Sequence, residues 1–446
     1  MSFEVFAQLN HLALQLSLAW LCIIGATHAS TVVLFLRHRR QALAAENRLL
    51  SEPLPPDCEL PHVLVQIPTF NEGNLVCRIA AAIGELDWPT NRLHVQIIDD
   101  STDGSVVFAE KAIIALRRRN IDATLIHRCN RKGFKAGALA AGLRLSDHEF
   151  VAIFDADYLP PRDFLKCCIR PLLADAKLAL VQARFDFLNA NETFVTRIQQ
   201  RLLDAHFAIE QATRSWSGQI MPFNGTCGIW RRAAIEDAGG WQGDTLTEDF
   251  DLSYRAQLLG WRASFLTSVT VPGELPATLE AWLPQQFRWR KGVAEVARKV
   301  LPLVLFSELS FNRKITSALH LCAGLFGPMV GVCAVTGAVD LMLGLGITYG
   351  TTLLLVIFAL ELMAAQSAIL LGQRLVRGAN VLTEFVKLQI ILCVFGYVHF
   401  ATWRANFEVW FGFETIFVRT PKGRRQPWQQ PLDRSNRAVG WAQLRK

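Results

Sequence analysis

Two short apolar runs in this sequence end abruptly in acid, one at Asp99-Asp100 and one at Asp155-Ala156-Asp157. A single aspartate at such a point ordinarily caps a helix or makes a turn. Two acidic strand ends in one sheet suggest more. Carboxylates separated by one residue offer oxygen ligands to Mg²⁺ or Mn²⁺, and Mg²⁺ keeps several waters and is completed by substrate phosphates. No P-loop and no GxGxxG follows either run, so phosphates need another holder. Arg131, Lys132 and Lys135 are cations available for that task, although a solvated basic loop explains them equally well.

Three further stretches carry candidate chemistry. Pro222–Gly228 is a glycine-bearing loop containing Asn224, Gly225 and Thr226, and glycine lets a backbone approach a ligand closely. Thr247-Glu248-Asp249 opens a helix, where Thr247 or Asp249 serves as a cap, or Asp249 serves as a general base beside an acceptor hydroxyl. Trp282–Lys291 packs two glutamines, three aromatics and three cations into ten positions. In a helix Gln285, Arg288 and Trp289 fall at i, i+3 and i+4 and share one face. An amide, a cationic fork and a flat apolar plate side by side suit a diphosphate next to a sugar ring.

The elements that must position these residues alternate regularly. Strands are expected at His62–Ile67, His94–Ile98, Ala123–His127, Phe150–Phe154 and Leu180–Phe185, with helices between the first four and a long helix over Phe194–Ala212. Such alternation predicts an α/β, Rossmann-like, mostly parallel sheet with ligand loops at the carboxyl ends of its strands.

Composition adds a membrane. Hydrophobic residues make up 51% and charged residues 19% of the 446 residues, with the apolar excess concentrated in 14–36 and most of 315–403. Leu14–Leu36 is long enough to cross ~30 Å of hydrocarbon once. The net charge of +7 is explained without nucleic acid, because Arg37, Arg39, Arg40, Arg298, Lys299, Arg313, Lys314, Arg374 and Arg377 flank the apolar runs as positive-inside residues do. Ten cysteines without a CxxC pair fit free thiols. The expected division is an anchor at 1–40, a linker at 41–60, a globular domain at 61–290, an interfacial helix at 291–314 interrupted by Pro302, transmembrane helices at 315–412, and a tail at 413–446. Three simple crossings within 315–403 would put that tail on the side opposite the globular domain, so one stretch is expected to bend, re-enter or form a short hairpin.

The ordered set Asp99-Asp100, Asp155-Ala156-Asp157, Thr247-Glu248-Asp249, Gln285 to Trp289 and Phe417-Val418-Arg419-Thr420-Pro421-Lys422 resembles the cellulose-synthase-like branch of family 2 glycosyltransferases. That resemblance covers most of the chain. It implies a GT-A fold on the cytoplasmic face of a multi-pass cell membrane, and an inverting hexosyltransferase that polymerises and translocates a β-linked polysaccharide. The donor it implies is a nucleotide sugar, UDP-glucose first, with GDP-mannose and a mannan-type polymer, or single transfer to a lipid acceptor, as alternatives. Accessory export subunits are compatible with it. Position by position, Thr69, Glu72, Asp99, Asp100, Lys135, Asp155, Gln285, Arg288, Thr420 and Lys422 would bind the nucleotide sugar. Asp155 and Asp157 would hold Mg²⁺ or Mn²⁺, Asp249 would be the base, and Asn224, Gly225, Thr226 and Trp289 would meet the acceptor. Phe70 stands where tyrosine is common, and Arg419 where valine is.

Overall fold

In the computed structural model, residues 3–345 and 348–413 are described; Phe417–Lys422, with Thr420 and Lys422, lies outside them. The chain begins with α1 (Phe3–Ser51), followed by β1 (Val63–Thr69), α2 (Leu75–Gly84), β2 (Leu93–Asp99), α3 (Val106–Arg117), β3 (Asp122–His127), α4 (Phe134–Leu143), β4 (Phe150–Ile153), α5 (Phe164–Ala174) and β5 (Leu178–Phe187). Next come α6 (Phe194–Ala205), a π-helical segment (His206–Gln211), α7 (Ala212–Trp216), β6 (Gly228–Arg231), α8 (Arg232–Asp237), α9 (Glu248–Leu258) and β7 (Arg262–Gly273). The remaining helices are α10 (Leu279–Leu305), α11 (Phe311–Cys322), α12 (Phe326–Met342), α13 (Tyr349–Arg377), α14 (Val381–Thr402) and α15 (Arg404–Trp410).

One seven-stranded sheet in the order β3-β2-β1-β4-β6-β5-β7 organises the globular domain. It is parallel except at β6, which runs antiparallel between β4 and β5. The parallel strands are apolar because helices cover both faces, so nearly every residue of β1, β2 and β4 is buried. Gln66 and Gln96 are buried exceptions. Gln66 donates to Gln96 and to the Leu139 carbonyl, and Gln96 donates to the Gly142 carbonyl, which ties α4 to the sheet.

Two expectations about boundaries change. The helix α1 continues to Ser51, so much of the expected linker is helical. Residues 41–51 are mostly strong helix formers, and the Glu46 carboxylate docks this extension on β7, accepting from the N–H and hydroxyl of both Thr267 and Ser268. Second, α10 is one helix of 27 residues capped by Thr278, with Pro284 and Pro302 both inside it. Gln285–Trp289 and the expected interfacial segment therefore share one rod, and Pro302 sits only one turn from its end.

Among the described residues, four helices are long and apolar enough to cross a membrane: α1, α11–α12 together, α13 and α14–α15 together. The contacts of three show a common span. At the far end from the sheet, Asn10 and His11 of α1 meet Asp340 of α12, and His11 and Gln15 meet Thr348 at the start of α13. At the near end, Arg377 of α13 pairs with Asp186 and Asp204. The helix α14 differs. It begins with Glu384 on Arg201 of α6, and the following α15 lies beside α10, where Lys291 meets Glu408 and the Phe413 carbonyl, and Arg298 donates to the Val409 carbonyl. The start of α14 and the whole of α15 thus lie against α6 and α10. The chain is thus back beside α10 at Phe413.

Candidate active site

The loops that close β1, β2 and β4 meet at the carboxyl edge of the sheet, as expected for ligand loops. Asp99 is 1% exposed and accepts from Thr69 Oγ1 at 3.0 Å, Ser101 Oγ at 2.6 Å and His127 Nδ1 at 2.9 Å. Thr69 and Asp99, expected to touch ligand, are buried and spend these polar atoms holding three strand ends together. Asp100 is gripped by Arg128, whose Nε lies 2.6 Å from Oδ1 and whose Nη2 donates to Oδ2. Glu72 is half-buried in the loop whose Asn71 is pinned to Ser101 and Thr102. Phe70 has Arg131 stacked 3.3 Å above its ring centroid. Arg131 is therefore an aromatic-stacked wall, Lys132 is exposed, and Lys135 is the loop cation that reaches the centre.

Lys135 Nζ lies 2.5 Å from Asp155 Oδ1 and 2.9 Å from the Gly225 carbonyl, bridging α4, the end of β4 and the Pro222–Gly228 loop. Thr226 is buried, and its hydroxyl accepts the Asp155 N–H at 2.9 Å, so it shapes the acidic turn. Asn224 Oδ1 accepts from Gln182 and Gln211, and its amide faces His206 Nε2 at 3.2 Å. His206 opens the π-helical segment, a distortion common at functional sites. Asp157 is buried beside Asp155.

Asp249 enters from the start of α9. Gly225 has φ +81°, and a Cβ there would lie 3.1 Å from Asp249 Oδ2 and 3.5 Å from Lys135 Nζ. The glycine thus serves two needs, a left-handed backbone and a closely approached carboxylate. Gly225→Ala is expected to lower the thermal midpoint by a few degrees, since a non-glycine residue in this region costs about 1–2 kcal/mol, and to reduce turnover by displacing Asp249. Differential scanning fluorimetry alongside initial rates checks both.

The electrostatics single out Asp249. Burial, followed by the charge of neighbouring Glu248, pushes its carboxyl up to about 7, against the pull of Lys135. Burial also raises Glu248, with Lys135 and Arg288 opposing. The Arg288 guanidinium lies in the combined field of Glu248, Asp155 and Asp249. On α10, Gln285 is buried, Arg288 half-buried and Trp289 38% exposed. The helix comes this close because position 292 is glycine, where a Cβ would strike Thr247. Lys135, Asp155, Asp157, Gly225, Glu248, Asp249 and Arg288 thus converge from five separate parts of the chain.

Glu248, Arg128, His127, His206 and Gly292 were not foreseen as parts of this site. Only Glu248, adjacent to Asp249, had a local signal.

A parallel-based sheet with acidic strand ends, an acid-opened helix and a cationic clamp defines a GT-A glycosyltransferase architecture. The chain belongs to the glycosyltransferase-like family 2, whose family profile matches residues 61–292. It is similar to glucomannan 4-beta-mannosyltransferase 1 of Oryza sativa subsp. japonica, with 42% identity over 283 residues, 61% of this chain and 53% of that protein. With glucomannan 4-beta-mannosyltransferase 2 of Arabidopsis thaliana it shares 44% identity over 281 residues, 60% of this chain and 52% of that one. The chain spans about half the length of the curated relatives it matches. Its fold is shared with mannosyltransferase PcManGT from Pyrobaculum calidifontis, solved in complex with GDP-Man and Mn²⁺, at a TM-score of 0.55 and 22% identity, covering 82% of this chain and 100% of that one.

Proposed function

We propose that this chain is a membrane-embedded inverting glycosyltransferase that extends a β-linked mannan-type polymer from GDP-mannose. The observation that carries the reading is the convergence of Asp249, Lys135, Arg288 and the Asp155/Asp157 pair at the carboxyl edge of the sheet. The acceptor hydroxyl oxygen attacks C1 of the donor mannose, its proton goes to the Asp249 carboxylate, and the C1–oxygen bond breaks with its electron pair leaving on GDP. Lys135 and Arg288 neutralise the departing diphosphate. Asp100, Glu72 and the Phe70–Arg131 wall border the nucleoside, Gln285 supports the diphosphate side, and exposed Trp289 stacks the acceptor sugar. Asp99, Thr69 and Thr226 act through the residues they hold.

The oxygen-only donors Asp155, half-buried, and Asp157, buried, lie just past a strand end beside cations; they fit a hard divalent ion and leave shell positions for phosphate and water. Mg²⁺ or Mn²⁺ bound there supplies further charge neutralisation on the diphosphate. The mannose donor is favoured over the UDP-glucose expected from motifs alone, because the curated relatives, 42–44% identical, are named 4-beta-mannosyltransferases. Arginines at 37, 39, 40, 374 and 377 on the globular-domain side of α1 and α13 support a cytoplasmic active site.

Purified protein in detergent, given radiolabelled GDP-mannose or UDP-glucose with Mn²⁺ or Mg²⁺, tests the proposal. The expected product is made from GDP-mannose, is insoluble in ethanol and is cut by β-mannanase. A product extracted into organic solvent, or incorporation from UDP-glucose alone, overturns it.

A further inference from the structure

The opposite edge of the sheet carries a second constellation. Strands β3, β2, β1 and β4 are neighbours in that order, and their amino-terminal ends bring together Asp122, His94, His62 and His148. Parallel register sets the level: Leu64 pairs with His94, His94 with Asp122, and Val63 with Phe150. Ligand nitrogens of the three histidines all lie within 4.8 Å of one another. His62 Nδ1 and His94 Nε2 are 2.9 Å apart, and the His94 and His148 ring centroids are 4.0 Å apart. The rings border an open cleft of about 430 Å³ lined by Pro61, His62, Asp147, His148 and Glu149.

The geometry points to a site for a borderline divalent transition-metal cation, Zn²⁺ in chemical class, held by His62, His94 and His148. Each feature of a built imidazole site is present. Asp122 Oδ2 lies 2.9 Å from His94 Nδ1, the carboxylate–histidine pairing that fixes a tautomer and leaves Nε2 to bind. Ser146 Oγ lies 2.5 Å from His148 Nδ1 and does the same for that ring. Three imidazoles with a fourth position open to water or to Asp147 match the coordination Zn²⁺ favours, about 2.0–2.1 Å from each nitrogen after small rotations of the rings. The donors also separate this site from the catalytic one, because imidazole selects Zn²⁺-like ions while the carboxylates at the other edge suit Mg²⁺ or Mn²⁺. The seven residues of β1 put the two edges roughly 20 Å apart. An ion here would clamp the three adjacent strands β2, β1 and β4, with β3 joined through Asp122, and stabilise the fold by mass action without touching the reaction.

The test uses tag-free full-length protein in detergent, stripped with chelator and titrated with Zn²⁺ or Co²⁺ alone. The expected result is one Zn²⁺ per chain, a thermal midpoint that rises with Zn²⁺, and a Co²⁺ visible spectrum of tetrahedral nitrogen–oxygen type. Binding persists in the Asp155→Asn/Asp157→Asn variant and is lost in His62→Gln/His148→Gln, whose substitutions sit outside the strands. Asp122→Asn weakens binding about 10–100-fold, the usual cost of an outer-shell partner. Less than stoichiometric Zn²⁺ on the unaltered chain, a six-coordinate Co²⁺ spectrum, or full binding by the His62→Gln/His148→Gln protein overturns the assignment.

Discussion

Asp249→Asn is expected to lower kcat for sugar transfer about 10²–10⁴-fold, the contribution of a positioned general base. Donor binding should change little, because the amide keeps the shape and Lys135 remains tied to Asp155 and the Gly225 carbonyl. GDP release measured with GDP-mannose, beside donor affinity from calorimetry, separates the two effects. Turnover at the normal rate would exclude Asp249 as the base. The pH profile gives a second check. The reactive form is the carboxylate, and with its carboxyl raised to about 7 by burial and by Glu248, that form is lost as pH falls through this value. Below it kcat/KM should drop about tenfold per pH unit. Glu248→Gln removes the negative neighbour, so the acid limb should move to lower pH; an unmoved limb would show that Glu248 does not set it.

Arg288→Lys is expected to reduce kcat about 10²–10³-fold, comparable to removing one preorganised donor from a developing anion. Charge is kept, but the planar fork that meets two phosphate oxygens together is lost. Placement matters because Arg288 sits on the rigid α10, whose neighbour Lys291 is buried against Glu408 and the Phe413 carbonyl, and whose Gly292 abuts Thr247. A shifted α10 would move clamp and base together. Initial rates with saturating donor, with the variant's thermal midpoint as a folding control, decide this. A rise in KM without loss of kcat would mean that Arg288 holds the ground-state donor only.

The sequence by itself determined the alternating strands and helices, the four long apolar runs, and the order of the acidic, helix-opening and Gln285–Trp289 motifs. These are local properties: burial on both faces demands continuous apolar strands, a membrane demands length without charge, and a motif carries its own spacing. The family followed from that order, whereas the donor sugar did not, since no single motif residue distinguishes mannose from glucose.

Only the tertiary structure decided the rest. The hydrogen bonds that tie Asp99, Thr69 and Thr226 to other strands and loops join segments far apart in sequence. The antiparallel β6 was missed because its four residues gain their place from Ile153 and Val181 on neighbouring strands and have no period of their own. The helix α14 is as apolar as a crossing helix, yet Arg201 meets Glu384 at its start and the α15 that follows it lies against α10. His62, His94 and His148 stand 32 and 54 residues apart in sequence, so no motif could join them. What places them at one edge is parallel register across β2, β1 and β4, a relation between distant segments that exists only once the sheet has formed.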